Sequence, residues 1–526
     1  MAPRTLTKYS VFASVAIIFI VSGILSDSGD GLDKDCFAVD GICYRILSDD
    51  TVMAYEYDDF LPEIILPSHV VHDGITYAVV DFYIIAHDRF EHIYIPDTVT
   101  TLEYRTDIRI VNWIEISPTH PKYTSQDGVI YSKDMSRLIV YPTTKMDSSF
   151  TIPEEVTSIN KYAFMSNHYL EEVTIGDNIQ VIGDCAFMSC NNLKWINRTS
   201  IGNTLPEGLL AIGALAFDST GLEDIHLPDS LRMIGKYAFS GSHIKSLHIG
   251  SSVTFIGEYA FGSCSELESV TSDNYRFYVE DNVLFETDAS STQIKLIMYP
   301  AGKMDDSYKI PEGVAEIAPY AFEDSVYLEE LIFPNSMSTV PTYSLFFAQS
   351  IKRIVLSDSI LSVEDSACYA CSLEEIVWGA NVTAIGSSAF EWNYFVDLVI
   401  PDTIQSIGDQ AFAYNYDLSY VYVPDGVRYM GSKVFLEDFS IENIEFGGSA
   451  PHMAGNCLNI SDDEYIPFDL HLTVQKEFVL PDRVLNDATT LIIDVQGLLP
   501  YPYENLIAAL LCALIVVLIL RFVKDV

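Results

Sequence analysis

The sequence is poor in positive charge. Its 526 residues contain 29 lysines and arginines against 74 aspartates and glutamates, which gives a formal net charge of -45. This balance opposes nucleic-acid phosphates and anionic lipid head groups, so we expect no nucleic-acid partner and no basic patch that binds a membrane surface. Halophilic adaptation also produces such a charge. The aromatic content of 12% and the mean hydropathy of +0.20 favour an ordinary, well-filled core instead.

Motifs of catalysis and metal binding are also missing. The chain has no G-x-S-x-G, Walker A or G-x-G-x-x-G motif. Its nine cysteines form no zinc-type spacing, and the acidic stretches 27–35 and 461–464, although acidic enough for weak calcium binding, lack the EF-hand spacing. Adjacent carboxylates such as Glu171 and Glu172 point to opposite faces of a strand, unlike a facing acid–base pair. We therefore expect no catalytic residue, no cofactor and no metal site, and a protein that is not an enzyme.

Both ends of the chain carry an apolar run. Residues 1–26 have basic, apolar and polar parts in the order of a secretory signal peptide, and the weak cleavage motif leaves an uncleaved anchor open. Residues 504–521 form a run just long enough for a transmembrane helix, with tyrosines before it and basic residues after it. These signals predict a single-pass protein of the cell membrane. Its ectodomain lies outside, and the tail, residues 522–526, lies in the cytoplasm.

A phrase I-G-x-x-A-F recurs through most of the chain and is called the anchor phrase below. Each copy is followed by a strand-like phrase L-x-x-I-x-I-P and by turn residues. One such unit has too few apolar residues to bury a face alone, so the units must stack and share a core. The anchor copies lie mostly 22 or 23 residues apart and start at Ile159, Ile182, Ile212, Ile234, Ile256, Ile317, Val340, Val363, Ile385, Ile407 and Met430.

A small residue, often polar, follows the last residue of each anchor phrase by three positions. A side chain of this kind can satisfy backbone groups left bare inside a coil, which predicts a structural ladder along the stack. Disulfides or metal sites are the competing explanation for its cysteines. The asparagines and cysteines of the predicted ladder are Asn167, Cys190, Cys264, Cys371, Asn393 and Asn415.

The repeated phrases at 152–164, 310–322 and 400–412 resemble the BspA-like leucine-rich repeats of surface proteins from host-associated microbes. The resemblance covers roughly residues 62–446. It implies a β-rich solenoid with one strand per coil, and a role in adhesion or in recognition of host or matrix molecules. The resemblance carries no catalytic residue over to this chain.

Two stretches interrupt the period, near 120–150 and 273–308, and each is predicted to be a β-hairpin added to a coil. The predicted organisation is an N-terminal β cap at 27–80, the solenoid at 81–446, and a C-terminal cap with the membrane-proximal segment at 447–503. In the N-terminal cap, Asp40 and Gly41 predict a two-residue hairpin turn. That turn places Cys36 and Cys43 diagonally on one face, so a disulfide between them requires a departure from the ideal register.

The strand phrase supplies the candidate binding face. Its exposed positions alternate in charge from coil to coil, and we expect most of these charges to pair with one another between stacked strands. Aromatic side chains contribute most to binding hot spots. The candidates on this face are Trp195, His226, His248, Tyr420 and Tyr422; repeat periodicity is the competing explanation for the two histidines.

Three Asn-x-Ser/Thr sequons, at Asn197, Asn381 and Asn459, are N-glycosylation acceptors if the host performs that modification. Together the observations predict a membrane-anchored cell-surface protein that recognises an extracellular protein or glycan through its solenoid face. A structural envelope protein that assembles laterally with copies of itself is the alternative.

Overall fold

The computed structural model describes residues 36–57, 63–83, 91–102, 110–200, 202–287, 293–449, 451–458, 460, 468–474 and 489–495. The regular elements of this part of the chain are β-strands joined by turns. None of the ranges just given holds a helix that is long and apolar enough to cross a bilayer. The predicted signal peptide and the predicted transmembrane helix lie outside these ranges, and both stay predictions.

The first side of the coils is a series of parallel sheets built from the L-x-x-I-x-I phrase, and we call it the strand face. The alternation of the phrase sets the pattern of burial, because successive side chains of a strand point to opposite faces. In β37 (Tyr420–Val423), for example, the two valines are buried and the two tyrosines are half-exposed. Its strands are β4 (Glu63–Ile65), β7 (His92–Ile95), β8 (Trp113–Ile116), β12 (Ser149–Thr151), β14 (Glu172–Thr174), β16 (Trp195–Ile196), β17 (Asn203–Thr204), β19 (Ile225–His226), β21 (Ser246–Ile249), β23 (Ser269–Ser272), β27 (Ser307–Lys309), β29 (Glu330–Ile332), β31 (Arg353–Val355), β33 (Glu375–Val377), β35 (Asp397–Val399), β37, β39 (Asn443–Phe446), β41 (Phe468–Val474) and β42 (Thr489–Val495).

The second side, the anchor face, was not predicted as a sheet. Each coil adds a two-residue strand that ends on the first residue of the anchor phrase, and two residues are too few to show alternation in the sequence. These short strands nevertheless pair in strict register. The first anchor residue of each coil lies beside that of the next, as in the series Ile182, Ile212, Ile234 and Ile256. Its strands are β9 (Tyr123–Gln126), β10 (Val129–Ser132), β11 (Arg137–Val140), β13 (Ser158–Ile159), β15 (Val181–Ile182), β18 (Ala211–Ile212), β20 (Met233–Ile234), β22 (Phe255–Ile256), β24 (Phe277–Glu280), β25 (Val283–Thr287), β26 (Ile294–Met298), β28 (Val314–Ile317), β30 (Thr339–Val340), β32 (Ser362–Val363), β34 (Ala384–Ile385), β36 (Ser406–Ile407), β38 (Tyr429–Met430) and β40 (His452–Met453).

The core between the two faces has a spine of stacked aromatic rings. The phenylalanines that end the anchor phrases lie one above another, with ring centroids 4.6 Å apart for Phe164 and Phe187 and 5.2 Å apart for Phe217 and Phe239. The buried apolar side chains form three clusters, over residues 37–140, 129–284 and 283–474. The divisions fall at the two interruptions of the repeat.

The glycine of the anchor phrase is required by the close approach of successive coils. A Cβ atom placed on Gly235 would lie 2.4 Å from the backbone nitrogen of Ala214 in the preceding coil. Real Cβ contacts are never this short, so a larger residue would push the two coils apart. Other coils hold Asn160, Ala318, Pro341 or Glu364 at this position, so the close approach is specific to the coils that have glycine.

The two interruptions continue the anchor face instead of standing apart from it. Each contains three antiparallel strands, β9–β10–β11 and β24–β25–β26, and the last strand of each pairs in parallel with the anchor strand of the next coil. The tyrosine that follows this strand takes the place of a spine phenylalanine: Tyr141 stacks on Phe164 and Tyr299 on Phe322. Each interruption is thus a modified coil that contains three antiparallel strands, one more than the predicted hairpin.

Both ends of the solenoid extend beyond the predicted boundaries. At the N-terminal end the cap sheet has the order β1 (Cys36–Val39), β2 (Ile42–Ile46), β3 (Thr51–Tyr57), β6 (Ile75–Phe82) and β5 (His69–His72), while β4, which precedes β5, already joins the strand face. At the other end, β40 pairs with β38, and Cys457 and Leu458 are buried as in a further coil. Methionine and leucine stand there for the usual isoleucine and phenylalanine, which hid this coil in the sequence.

Candidate binding face

Basic residues of the strand face are paired within the chain, as the alternating charges predicted. The Lys245 ammonium lies 3.0 Å from Glu223 of the preceding coil, and the Lys352 ammonium lies 2.7 Å from Glu329. The Arg353 guanidinium contacts Glu330 on one side and Glu375 on the other. These exposed pairs contribute little stability each, but they occupy much of the scarce positive charge of this face.

Among the predicted binding residues, Trp195 is half-buried and already has a partner. The Arg198 guanidinium carbon lies 4.0 Å from the centroid of its ring, in cation–π geometry. His248 contacts the Thr271 hydroxyl at 3.0 Å through Nδ1 and lies 3.5 Å from Asp273 through Nε2. His226 is exposed beside Thr204 on the neighbouring strand. These residues lie in the first half of the repeat array.

Tyr420 and Tyr422 lie together near the other end. The Tyr420 hydroxyl donates a 2.6 Å hydrogen bond to Glu445. Burial and the Glu445 carboxylate raise the pKa of Tyr420 to about 12. Tyr422 lies between Val399 and Glu445 in the register of the sheet. The structure thus brings these two tyrosines together but leaves Trp195, His226 and His248 in different sheets.

Sequence reasoning missed a second group of aromatic residues, at the turn that leads into the strand face. They flank the ladder position of successive coils, and we call them the aromatic corner: Trp392, Tyr394, Tyr414, Tyr416 and Phe439. The Trp392 ring stacks on Tyr414 at 4.7 Å and meets Tyr416 edge-on at 5.6 Å. Tyr394 and Tyr416 are 52% and 43% exposed, so the corner presents ring surface to solvent. The recurrence W-N-Y and Y-N-Y at the ladder position was the available signal.

The ladder residues themselves lie inside the coil, next to the corner. Their side chains donate to a buried backbone carbonyl of the preceding coil, mostly that of the spine residue. Burial also raises the pKa of the thiols, to about 12 for Cys190 and Cys371 and about 11 for Cys264. The bonds run from Asn167 to Pro142, Cys190 to Phe164, Cys264 to Phe239, Cys371 to Leu345, Asn393 to Cys368 and Asn415 to Phe390, over 2.9–3.2 Å.

Asp438 continues this ladder by one coil, although the sequence analysis ended it at Asn415. Its side chain is fully buried, and Oδ1 accepts a 2.6 Å hydrogen bond from the Asn415 backbone N–H. Burial raises the pKa of Asp438 well above its usual range. Burial therefore favours the neutral form of this carboxyl group.

The remaining predicted sites are modification sites. Cys36 and Cys43 lie diagonally across the β1–β2 hairpin, because Cys43 is opposite Ala38, and a disulfide between them stays a prediction. Asn197 uses its side-chain amide to bond both the N–H and the carbonyl of Ile175, at 2.7 and 2.8 Å, so glycosylation there would break a structural contact. Asn381 is exposed, and Asn459 lies outside the described residues.

The described ranges contain no group of three histidine, cysteine, aspartate or glutamate side chains that could hold a metal ion. His226 and His248, the two predicted histidines, lie on different strand pairs, beside Thr204 and Thr271 respectively. The surface offers rings, hydroxyls and carboxylates along stacked strands.

Comparison with known proteins finds the BspA type leucine rich repeat region in six copies, over residues 141–204, 198–298, 305–396 and 383–480. No curated protein matches the chain. Among solved structures, a leucine rich cell surface protein from Faecalibacterium prausnitzii is 23% identical, over 80% of this chain and 96% of that one, with a TM-score of 0.42. A leucine-rich repeat protein from Bacteroides ovatus is 21% identical, over 87% and 99%, with a TM-score of 0.42. The pneumococcal vaccine antigen PcpA is 16% identical, over 87% and 98%, with a TM-score of 0.40.

Proposed function

Because the chain belongs to the BspA-type leucine-rich-repeat family, we propose that it is a cell-surface recognition protein that binds a macromolecule without catalysis. The predicted signal peptide and the predicted helix at 504–521 would hold the solenoid outside the membrane. The partner contacts the strand face and the aromatic corner beside it. Solenoids present long, nearly continuous surfaces of this kind, and binding rather than catalysis is their typical role.

One observation supports this proposal most: exposed apolar side chains concentrate in one coil of the array. Trp392, Tyr394, Val396 and Val399 are 38%, 52%, 54% and 58% exposed, and they run from the corner onto the strand face. Tyr420 and Tyr422 lie on the next strand. A surface patch that is aromatic at its centre and polar at its rim is characteristic of protein interaction sites.

The test is adherence of cells that display the full-length chain to host cells and to extracellular-matrix proteins. The variant Tyr420→Ala with Tyr422→Ala should lose most of the adherence of the parent. Trp195→Ala is the matched control within the strand face, because its ring is already covered by Arg198. The proposal fails if the double variant adheres as well as the parent. Lateral self-assembly of the purified chain without adherence would favour the envelope role instead.

A further inference from the structure

The first interruption of the repeat gathers positive charge in a chain that is otherwise strongly acidic. An open cleft of about 310 Å³ lies where β9 begins, β10 ends and β11 begins, and we call it the cationic cleft. Its volume is at the lower end of the roughly 300–1,000 Å³ that ligand pockets span. Three of its six lining residues are basic, although only 29 of the 526 residues are lysine or arginine. The lining consists of Lys122, Tyr123, Ser132, Lys133, Asp134 and Arg137.

The two lysines of the cleft are held in place by backbone carbonyls. The Lys122 ammonium donates to the Thr100 carbonyl at 3.2 Å, and the Lys133 ammonium donates to the Pro118 carbonyl at 2.9 Å. Neither ammonium forms an ion pair with a carboxylate of the described residues. Because a lysine ammonium has three N–H donors, both groups keep donors for a ligand.

The second interruption has the same backbone but neutralises its charge internally. Arg276 precedes β24 as Lys122 precedes β9. The register of the strands places Glu286 where the first interruption has Ser132. The Arg276 guanidinium lies 2.6 Å from the Glu286 carboxylate, so this cation has its partner within the chain. In the first interruption a serine stands in place of that carboxylate.

The first interruption also adds a second cation at this place. The Lys133 backbone N–H donates to the Lys122 carbonyl at 2.7 Å, and Thr287 makes the same bond to Arg276 at 2.8 Å. A neutral threonine therefore stands in the second interruption where the first has Lys133. The fold is built in both places, so it does not require the positive charge of the cationic cleft.

Asp134 adds a hydrogen-bond acceptor to the cleft. Its Oδ1 accepts from the Ser132 hydroxyl at 2.6 Å, from the Ser136 hydroxyl at 2.8 Å and from the Ser136 N–H at 3.1 Å. These bonds lower the pKa of Asp134 to about 2, so the carboxyl group is ionised at neutral pH. A bare anion would be repelled by this carboxylate, whereas a ligand that also carries hydroxyl groups can donate to it. The cleft thus complements an anionic group and hydroxyl donors together.

The charge of the whole chain limits how much negative charge the ligand can carry. The net charge of -45 repels polyanions, which would extend from the cleft over acidic surface. Screening confines electrostatic interactions to about 8 Å at physiological ionic strength. A single anionic group inside the cleft therefore interacts mainly with the cations beside it, which favours a ligand with one negative charge.

We propose that the cationic cleft binds an acidic sugar, which is a sugar ring with one carboxylate group and several hydroxyl groups. The Lys122 and Lys133 ammonium groups hold the carboxylate of the sugar, and Asp134 accepts a hydrogen bond from one of its hydroxyl groups. The cleft is formed by strands of the anchor face. This inference therefore goes beyond the proposed function, which concerns the strand face, and does not depend on it.

The experiment measures ligand binding to the full-length chain by ligand-observed NMR titration. Glucuronate carries both the carboxylate and the hydroxyl groups, propionate carries only a carboxylate, and glucose carries only hydroxyl groups. The test variant is Lys122→Gln with Lys133→Gln. The matched control is Lys194→Gln with Lys309→Gln, which removes the same charge from two exposed lysines elsewhere in the array.

We expect the parent to bind glucuronate more tightly than propionate or glucose, and added salt to weaken this binding. The cleft variant should bind glucuronate about tenfold more weakly or worse, a loss of about 1.4 kcal/mol, and the control should bind like the parent. Equal affinity of the parent and the cleft variant for glucuronate would overturn the inference. Propionate that binds the parent as tightly as glucuronate would overturn the sugar and leave a site for any carboxylate.

Asp134→Asn tests the second half of the recognition. The amide keeps an Oδ1 that can accept the three bonds of the turn, but it removes the negative charge that repels anions and attracts hydroxyl donors. The ratio of glucuronate affinity to propionate affinity should therefore fall. An unchanged ratio would show that Asp134 does not contact the sugar, contrary to the proposal.

Two further measurements separate the cleft from the proposed function and narrow the ligand. The variant Tyr420→Ala with Tyr422→Ala should bind glucuronate like the parent, whatever its adherence. Loss of glucuronate binding in that variant would overturn a separate site on the anchor face. Titration with N-acetylneuraminate beside glucuronate distinguishes a sialic acid from a uronic acid as the preferred acidic sugar, and failure of both to bind would overturn the inference.

Discussion

Phe239→Ala tests whether the aromatic spine holds the coils together. Phe239 is fully buried, and its ring stacks on Phe217 at 5.2 Å and on Phe261 at 5.5 Å. Removal of a buried ring costs the transfer of its atoms plus the cavity left behind, about 3–5 kcal/mol. The cavity would open between two coils, and in a solenoid each coil contacts only its neighbours. The loss should therefore weaken the coupling between the stretches on either side.

The assay is thermal unfolding of the purified chain by calorimetry, combined with hydrogen exchange of the repeat amides. We expect a lower melting temperature, and faster exchange in the coils that surround Phe239 than in the coils around Phe412. Phe239→Leu should cost less than Phe239→Ala, since leucine leaves a smaller cavity and the chain itself has leucine at the equivalent position, Leu345. Met233→Ala, at a 44% exposed residue of the same coil, is the control and should change stability by less than about 0.5 kcal/mol. An unchanged melting curve for Phe239→Ala would refute the idea that the aromatic spine holds the coils together.

Three further predictions follow from the same coils. Gly235→Ala should destabilise the chain by about 1–3 kcal/mol in denaturant unfolding, because its methyl group meets the preceding coil, whereas Gly176→Ala, with open space around it, should be near neutral. Cys264→Asn should be tolerated within about 1 kcal/mol, because Asn393 and Asn415 make the same carbonyl contact; rapid labelling of native Cys264 by a thiol reagent would contradict its burial. Burial raises the pKa of Glu323 from 4.5 to about 8, so the folded chain keeps a proton that the unfolded chain releases between those pH values. Stability should therefore fall as the pH rises through this window, and Glu323→Gln should flatten that slope, as measured by unfolding at several pH values.

The period of the sequence was enough to predict the stack, the strand face and the ladder. Isoleucine, glycine and phenylalanine recur at fixed spacing because each meets a copy of itself in the next coil, so the constraint is repeated and visible. Trp195 shows the limit of this reasoning. Its exposure as a binding residue could not be judged from its place in the phrase, because Arg198, three residues later, turns back over its ring.

The anchor face and the extra coil at Met453 were hidden for different reasons. A two-residue strand leaves no alternation to detect, although its pairing with neighbours is as regular as that of the strand face. At Met453 the pattern of buried apolar residues persists although the residue types change. Methionine and leucine occupy the buried positions that isoleucine and phenylalanine hold in other coils. Packing requires apolar residues of about the right size, and a search by letters misses such replacements.

The aromatic corner was missed because its positions are free to vary. The ladder residue between them is fixed by a buried carbonyl of the preceding coil, as the bond from Asn393 to Cys368 shows. That bond holds the turn whether serine, glycine or tryptophan stands beside the ladder residue, so the flanking positions show no conserved residue type within the array. Trp392 and Tyr414 nevertheless take up a left-handed backbone that serine and glycine occupy elsewhere at lower cost. The same left-handed turn also holds Asp324 and Phe347 in other coils, so the fold fixes the backbone at this position and leaves the residue type unpredictable from the repeat.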